Sequence, residues 1–347
     1  MKNQTLAAAN QLLGTHYTSM NNVSTHRNLT ETFIEKFQDI VNCEFISSHQ
    51  TLSENFIQKF QHKVNWTSIS FHQQLSQAFI ETFQDKLCWA IIGSRQTLSE
   101  DFIEKFQAKL NWAKVSSCQR LSEPFIEKFQ NNVCWTAICG CKKLSEAFIE
   151  KFQHKMKWGT IGCFQQLSEA FIEKFQTKLY GKDISEFQIL SEDIIEKFGF
   201  GYFCRHKVSS FQNLSPFFIQ KHNLTVPEDC WLHKSVEFKR QQILQTGKYS
   251  LEGDYIIAYK GIRSDNYSVY SFLYQYFVGK TYTSHCDCNV TSENSFGLSA
   301  WTEERARLFC NQKLIKIKIH LNDLGCMVQN KSKLRCFKFT VIEEINQ

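Results

Sequence analysis

Three short stretches in the last third of the chain hold residue types capable of chemistry. Tyr259-Lys260-Gly261-Ile262-Arg263-Ser264-Asp265 sets cations beside an acid. His285-Cys286-Asp287-Cys288-Asn289 supplies an imidazole and two thiols, and leads on to Ser295-Phe296-Gly297-Leu298-Ser299-Ala300-Trp301-Thr302. Lys333-Leu334-Arg335-Cys336-Phe337-Lys338 returns cations and a thiol. His285, Cys286 and Cys288 could ligate zinc with Cys310 or Cys336 as a fourth ligand. Structural zinc sites pair one C-x₂₋₄-C with a second half, however, and a lone C-x-C lacks it. A Cys286 nucleophile activated by His285 needs the two side chains to face each other, yet sequence neighbours on a strand point to opposite faces. Cys139-Gly140-Cys141 falls at a loop of the repeats described next and is a still weaker metal candidate. No cofactor is expected from these signals.

The elements around these clusters are of two kinds. Upstream, a decapeptide such as Leu144-Ser145-Glu146-Ala147-Phe148-Ile149-Glu150-Lys151-Phe152-Gln153 recurs at Leu29, Leu52, Leu75, Leu98, Leu121, Leu144, Leu167 and Leu190, always 23 residues apart. A degenerate copy follows at Leu214, after a step of 24. A fixed period in this range marks a repeat array. With the leading Leu as position 1, Ser at 2 and Glu at 3 read as an N-cap and a first-turn acid. Apolar residues at 5, 6, 9 and 13 share one helical face, and Pro124 sits in a first turn, where Pro is tolerated. Asn at 14 (Asn65, Asn111) reads as a second N-cap before Trp at 15 and Ile or Val at 18. The spacing predicts a helix of about ten residues, a tight turn and a helix of about seven, both too short to stand without packing.

Acids at 3 and 7 fall on one flank of the apolar stripe, bases at 8 and 12 on the other. Within one helix these like charges repel, so the acidic flank of each repeat is expected to meet the basic flank of the next. Positions 4 and 11 point outward and vary (Asn55, Ala78, Asp101; His62, Asp85, Ala108). The Trp column (Trp66, Trp89, Trp112, Trp135, Trp158) could stack on bases or sugars, but Trp at a regular interior position reads as core.

No single unit can bury its Phe and Trp, so neighbours must stack. The expected fold is an α-solenoid of short two-helix repeats, period 23, followed by a small α+β domain. Residues 1–28 form an N-terminal cap, 29–223 the repeat array and 224–347 the C-terminal domain. Val23-Ser24-Thr25-His26 resembles the back half of a repeat. Lys182-Asp183-Ile184 and Gly199-Phe200-Gly201 degrade the late copies, Leu214 to Asn223 closes the array, and Val226-Pro227-Glu228-Asp229 marks the boundary. Beyond it a helix is predicted from Trp231 to Gln245, ended by Gly247. Strands are predicted at Tyr255–Tyr259, Tyr270–Val278, Leu314–His320 and Arg335–Ile342, with turns at Gly279-Lys280 and Asn330-Lys331-Ser332-Lys333 and a helix at Thr302–Asn311.

The repeats resemble the L-S-E-x-F-I-E-K-F repeats encoded by large DNA viruses of amoebae and scattered in some phage and bacterial proteins, over about two thirds of the chain. The last hundred residues resemble an uncharacterised domain that accompanies such repeats, with Y-K-G-x-R, G-L-[SH] and K-[IL]-R-C strands in this order. A fainter likeness is to ADP-ribosyltransferases. It implies a dinucleotide gripped by Arg263, with Ser299 as the middle serine of an S-T-S strand. The glutamate that such enzymes use does not follow: the corresponding strand carries Lys333 and Arg335, and Glu343 and Glu344 lie at its far end. Without that acid, stabilisation of an oxocarbenium-like state is lost.

Composition bounds the remainder. With 347 residues, 42% hydrophobic content and 31 Phe, the chain is not disordered. A net charge of +6 without basic runs does not point to nucleic acid. Met1 to Gly14 is too short and polar for a signal peptide or anchor, and no stretch approaches a membrane span. Fourteen scattered cysteines fit a reducing, intracellular setting, host cytoplasm or virion, better than a disulfide framework. The expected role is a non-enzymatic scaffold or adaptor that takes a protein partner through the variable repeat face. The alternatives are an enzyme domain targeted by the repeats and a structural virion component.

Overall fold

A computed structural model of the protein describes residues 2–26, 28–228, 230–269, 274–291, 297–328 and 331–345. The predicted features at Asp229, Tyr270 to Leu273, Ser295-Phe296 and Asn330 lie outside the described residues. The chain divides into two compact units, Met1–Cys134 and Trp135–Gln347.

The first unit opens with helices Lys2–Leu13 and Met20–Ser24 and continues into the repeats. The repeat from Leu52 shows how each is built. Ser53 caps helix Glu54–Lys59, its hydroxyl accepting from the Phe56 amide, and Asn65 caps helix Trp66–His72. Phe56, Ile57 and Ile69 are buried. The first helix is six residues long rather than ten, because Phe60 leaves the α region (φ −103°, ψ 24°). The following turn is closed by amides of Lys63 and Val64 donating to the Phe60 carbonyl. The Trp66 indole then donates to the Gln61 carbonyl at 3.0 Å, as Trp89 does to Gln84 at 2.8 Å. The Trp side chain thus satisfies a carbonyl that a longer helix would have paired internally.

The tryptophans are half-buried rather than fully enclosed. Trp66 stacks on Phe79 and Phe83 of the next repeat, ring centroids 6.4 and 5.1 Å away. Lys86 of that repeat lies over the indole at 5.4 Å, a cation–π contact that covers the outer face.

The charged flanks meet as expected at positions 7 and 8. Lys59 pairs with Glu35 and Lys128 with Glu104 in the first unit; Lys174 pairs with Glu150 and Lys197 with Glu173 in the second. Positions 3 and 12 act differently. Glu54 accepts from the amide and hydroxyl of Ser76, the next N-cap, and Lys86 donates to Gln61 of the preceding repeat. Because both members of the Lys105–Glu81 pair are about half exposed, Glu81→Gln is expected to lower stability by less than about 1 kcal/mol, read as a small shift of the urea midpoint.

The strongest stitch is polar and buried. Gln73, at position 22, is 3% exposed. Its carbonyl accepts from the Leu52 amide at 3.0 Å, and its amide donates to the carbonyls of Ser47 (3.1 Å) and Gln50 (2.7 Å). Gln96 repeats the arrangement. Position 19 adds a second seam: Ser47 and Ser70 accept from the amides of Asn65 and Cys88. The N-terminal segment joins in the same way, since the Ser24 hydroxyl accepts from Asn42.

The second unit carries the later repeats with the same stitches at Gln165, Gln188 and Gln212. Cys139 stands at position 19 and its sulfur takes the serine's role toward the Lys157 amide. Gly181 replaces Trp at position 15. A Cβ there would lie 2.0 Å from the Tyr202 carbonyl, which the kink at Gly199 (φ 65°) brings over it.

Beyond the repeats the chain forms an antiparallel sheet. Its strands are β1 (Ser250–Glu252), β2 (Tyr255–Ile262), β3 (Thr281–Thr283), β4 (Leu298–Trp301), β5 (Lys313–His320), β6 (Leu324–Val328), β7 (Lys333–Cys336) and β8 (Lys338–Ile345). The order is β3-β8-β5-β2-β4-β7-β6, with β1 paired to β2. The predicted strand Arg335–Ile342 is two strands parted by Phe337, whose amide donates to Asp323. Only one residue joins β7 to β8, yet three strands lie between them in the sheet. The sheet therefore rolls until those strands approach, as twisted sheets do. β5 alternates as expected, with Ile315, Ile317 and Ile319 buried.

The predicted helix start at Trp231 moves to Val236, because the Trp231 amide donates to Gly325 of β6 and Ser235 supplies the cap. Gly247 ends this helix in the left-handed region (φ 62°). The helix predicted at Thr302–Asn311 is Glu303–Phe309, with Thr302 as its N-cap residue. In the described part of Tyr270–Val278 there is no strand. Gln275 makes an isolated bridge to Tyr267, and this loop drops Tyr276 into the sheet core. Among the described residues, no helix is long and apolar enough to cross a membrane.

Candidate functional site

Within the second unit, a cavity of about 530 Å³ opens between the repeats and the sheet. The repeat side contributes Lys143, Cys163, Phe164, Gln166 and Phe187. The sheet side contributes Lys260 of β2, Ser299 and Trp301 of β4, and Lys333 of β7, joined by Tyr274, Tyr276, Ser284 and His285 from connecting segments. Gln166 ties the two walls together, its amide donating to the Tyr274 hydroxyl (3.0 Å) and the Thr283 carbonyl (3.2 Å).

The strand register explains why these residues converge. β4 lies between β2 and β7, and Trp301 is opposite Tyr259 on one side and Lys333 on the other. The Lys260 ammonium sits 5.2 Å from the Trp301 ring centre and 5.3 Å from that of Tyr276, and the Lys333 ammonium sits 5.4 Å from Trp301. Lys260 is 5% exposed and Lys333 6%. The Lys260 ammonium donates to the Ser299 carbonyl at 2.9 Å. No carboxylate is among the described residues that line the cavity. Burial first, and the neighbouring Lys333 in addition, push the Lys260 amine down to about 8.

That shift makes stability depend on pH. Between about pH 8 and 10.5 the unfolded chain holds a proton on Lys260 that the folded chain has lost. Stability from this group therefore rises with pH across that window, relieving a penalty of roughly 3 kcal/mol that is fully present below pH 8. Lys260→Met is expected to flatten this rise relative to wild type in urea titrations at pH 7.5 and 10. Parallel curves for the two proteins would refute the assignment.

The residues singled out in the sequence part company here. Ser299 lines the cavity, but Arg263 does not; it lies beyond the end of β2 and pairs with Asp265 at 3.1 Å. Lys260, three residues earlier in the same motif, is the cation that reaches Ser299.

His285 and Cys286 point apart. His285 lines the cavity, edge-on to Phe187 at 5.7 Å, and burial pushes its imidazole down to about 4. Cys286 is buried in a separate cluster with Cys230, Cys288 and Cys326, its thiol pushed up by burial. Cys286 and His285 therefore do not form a nucleophile–base pair. Cys310 and Cys336, the suggested fourth zinc ligands, bond instead to the carbonyls of Ile262 and Leu298. Among the described residues, no three His, Cys, Asp or Glu side chains are grouped to hold a metal ion.

Arg335 lies on the thiol side, fully buried. It donates to the carbonyls of Asp287 and Asn289, both at 3.1 Å, and faces the Asp287 carboxylate at 3.5 Å. This makes it a brace for the 286–289 segment.

No family model matches the chain, and no match is found among curated proteins or solved structures.

Proposed function

We propose that the protein is a non-enzymatic recognition scaffold, an α-solenoid that takes a protein partner through the outward positions 4 and 11 of its repeats. One observation carries this reading. The recurrent residues are all occupied in holding repeats together: Ser, Glu and Lys in caps and ion pairs, Gln in buried stitches, Phe, Ile and Trp in packing. Positions 4 and 11 are exposed in consecutive repeats (Asn55, Ala78, Asp101; His62, Asp85, Ala108) and differ in each, although Asp85 also makes an exposed ion pair with Lys109 of the next repeat. A surface free to vary on a scaffold that is not is what a binding face requires. The resemblance to viral amoebal repeats supports an intracellular setting, and so do fourteen cysteines that are all free thiols.

The test is to replace those six side chains together with serine. The melting temperature is expected to stay within about 2 °C of wild type, while one or more proteins enriched by the wild-type chain in quantitative affinity purification drop out. An unchanged set of enriched proteins would overturn the proposal. The same purification from assembled particles separates an adaptor from a particle component.

A further inference from the structure

We infer that Lys260 captures an aromatic aldehyde, holding it as an imine inside the cavity between the repeats and the sheet. The inference is independent of the partner-binding proposal.

The geometry places one amine for this. The volume of about 530 Å³ falls within the range of small-molecule sites. Phe164, which lines the cavity, is 53% exposed, so the space is open to solvent. Lys260 lines the same space although it is only 5% exposed. Its nitrogen is fixed there, donating to the Ser299 carbonyl at 2.9 Å and standing 5.2 Å from the Trp301 ring centre and 5.3 Å from that of Tyr276. A lysine enclosed by apolar rings is the kind that reacts with carbonyl compounds, because burial frees its lone pair. Burial is the largest cause that pushes this amine down to about 8. Near that pH about half of it is neutral, against under about 1% for a lysine in water. Cys163, a thiol on the same wall, is pushed the other way by burial, up to about 11, and stays protonated.

The nitrogen lone pair attacks the aldehyde carbon, and the carbonyl oxygen leaves as water. Net, an ammonium and an aldehyde give a protonated imine and water. Two N–H hydrogens depart on the oxygen, one stays, and no electrons are gained or lost. The site suits that product. The remaining N–H can keep the bond to Ser299, and the positive charge stays beside the Trp301 and Tyr276 rings, which attract it as they attract the ammonium. The walls specify the organic part. Tyr274 and Tyr276 lie nearly parallel, 7° apart in plane, and Phe164 and Phe187 line the repeat side. Aromatic faces of this kind accept a flat ring by offset stacking.

The test incubates the full chain at pH 8 with benzaldehyde or with butanal, each with cyanoborohydride, which reduces an imine to a stable secondary amine. Peptide mass spectrometry then maps the modified lysines. Benzaldehyde is expected to label Lys260 at least tenfold faster than any other lysine, Lys143 and Lys333 of the same wall included, and at least tenfold faster than butanal labels it. In 8 M urea the preference for Lys260 should vanish. Lys260→Met should lose the fast label and keep the slow labelling elsewhere. Labelling of Lys260 no faster than that of the other lysines overturns the inference, as does fast labelling of Lys143 or Lys333 in its place. Equal rates for the two aldehydes at Lys260, or a preference for Lys260 that survives urea, overturn it as well.

Discussion

Gln73→Leu is expected to lower the unfolding free energy by about 3 kcal/mol or more, although the residue is polar and touches no ligand. Leucine is of similar size and fills the space, so the loss is not a cavity. It strands three backbone groups: the Leu52 amide and the carbonyls of Ser47 and Gln50. Each buried group left without a partner costs about 1–3 kcal/mol, and partial relaxation keeps the total below the simple sum. Urea denaturation followed by circular dichroism measures it, with Glu81→Gln as the exposed comparison. A loss under about 1 kcal/mol would show that water or a small shift satisfies these groups, and that the glutamines are not what joins one repeat to the next.

Gly261→Ala is expected to destabilise the sheet end of the second unit by roughly 1–3 kcal/mol, or more if the backbone cannot give. An added Cβ would lie 2.5 Å from the Ala306 carbonyl oxygen and 2.7 Å from that of Cys310. Both are backbone atoms at the end of helix Glu303–Phe309, so no side chain can swing away. The helix must lift from β2, and Phe309, which stacks on Trp301 with centroids 4.5 Å apart, must move with it. Thermal melts and the near-ultraviolet circular dichroism of the aromatic residues should both change. A wild-type melting temperature with unchanged aromatic signal would mean that the close approach is not required. The glycine of the Y-K-G-x-R motif is thus explained by helix packing rather than by chemistry.

How far the chain could be read in advance differs between its two parts. In the repeats the period, both N-caps, the buried Phe and Ile and the pairing of position 7 with position 8 follow from residue spacing. These are local properties: helix geometry places residues three and four apart on one face whatever surrounds them. The six-residue length of the first helix did not follow, because the backbone leaves the α region at the position-9 Phe, both in repeats that carry Trp at position 15 and in those that do not. The buried glutamines were missed for a different reason. A glutamine between helices reads as a solvated loop residue, and only the next repeat, by removing water, turns it into a stitch.

In the sheet the limits are sharper. β5 alternates plainly and was legible, whereas β1, β3, β4 and β6 are short strands whose apolar residues carry no clear period. Candidate chemistry was assigned to Arg263 and to the Cys286-x-Cys288 pair because charge and thiol spacing can be read along a chain. Lys260, Ser299, Trp301 and Lys333 are up to 73 residues apart in sequence, and meet only because β4 pairs with β2 on one edge and β7 on the other.

The amino-acid order by itself determined the repeating helical unit and its self-complementary edges, since each of those contacts is repeated at a constant offset and is encoded many times over. The tertiary structure alone decided which two of forty Lys and Arg residues would be buried at one indole. Strand order is set by long-range pairing across the whole sheet, and that pairing leaves no periodic trace in the sequence.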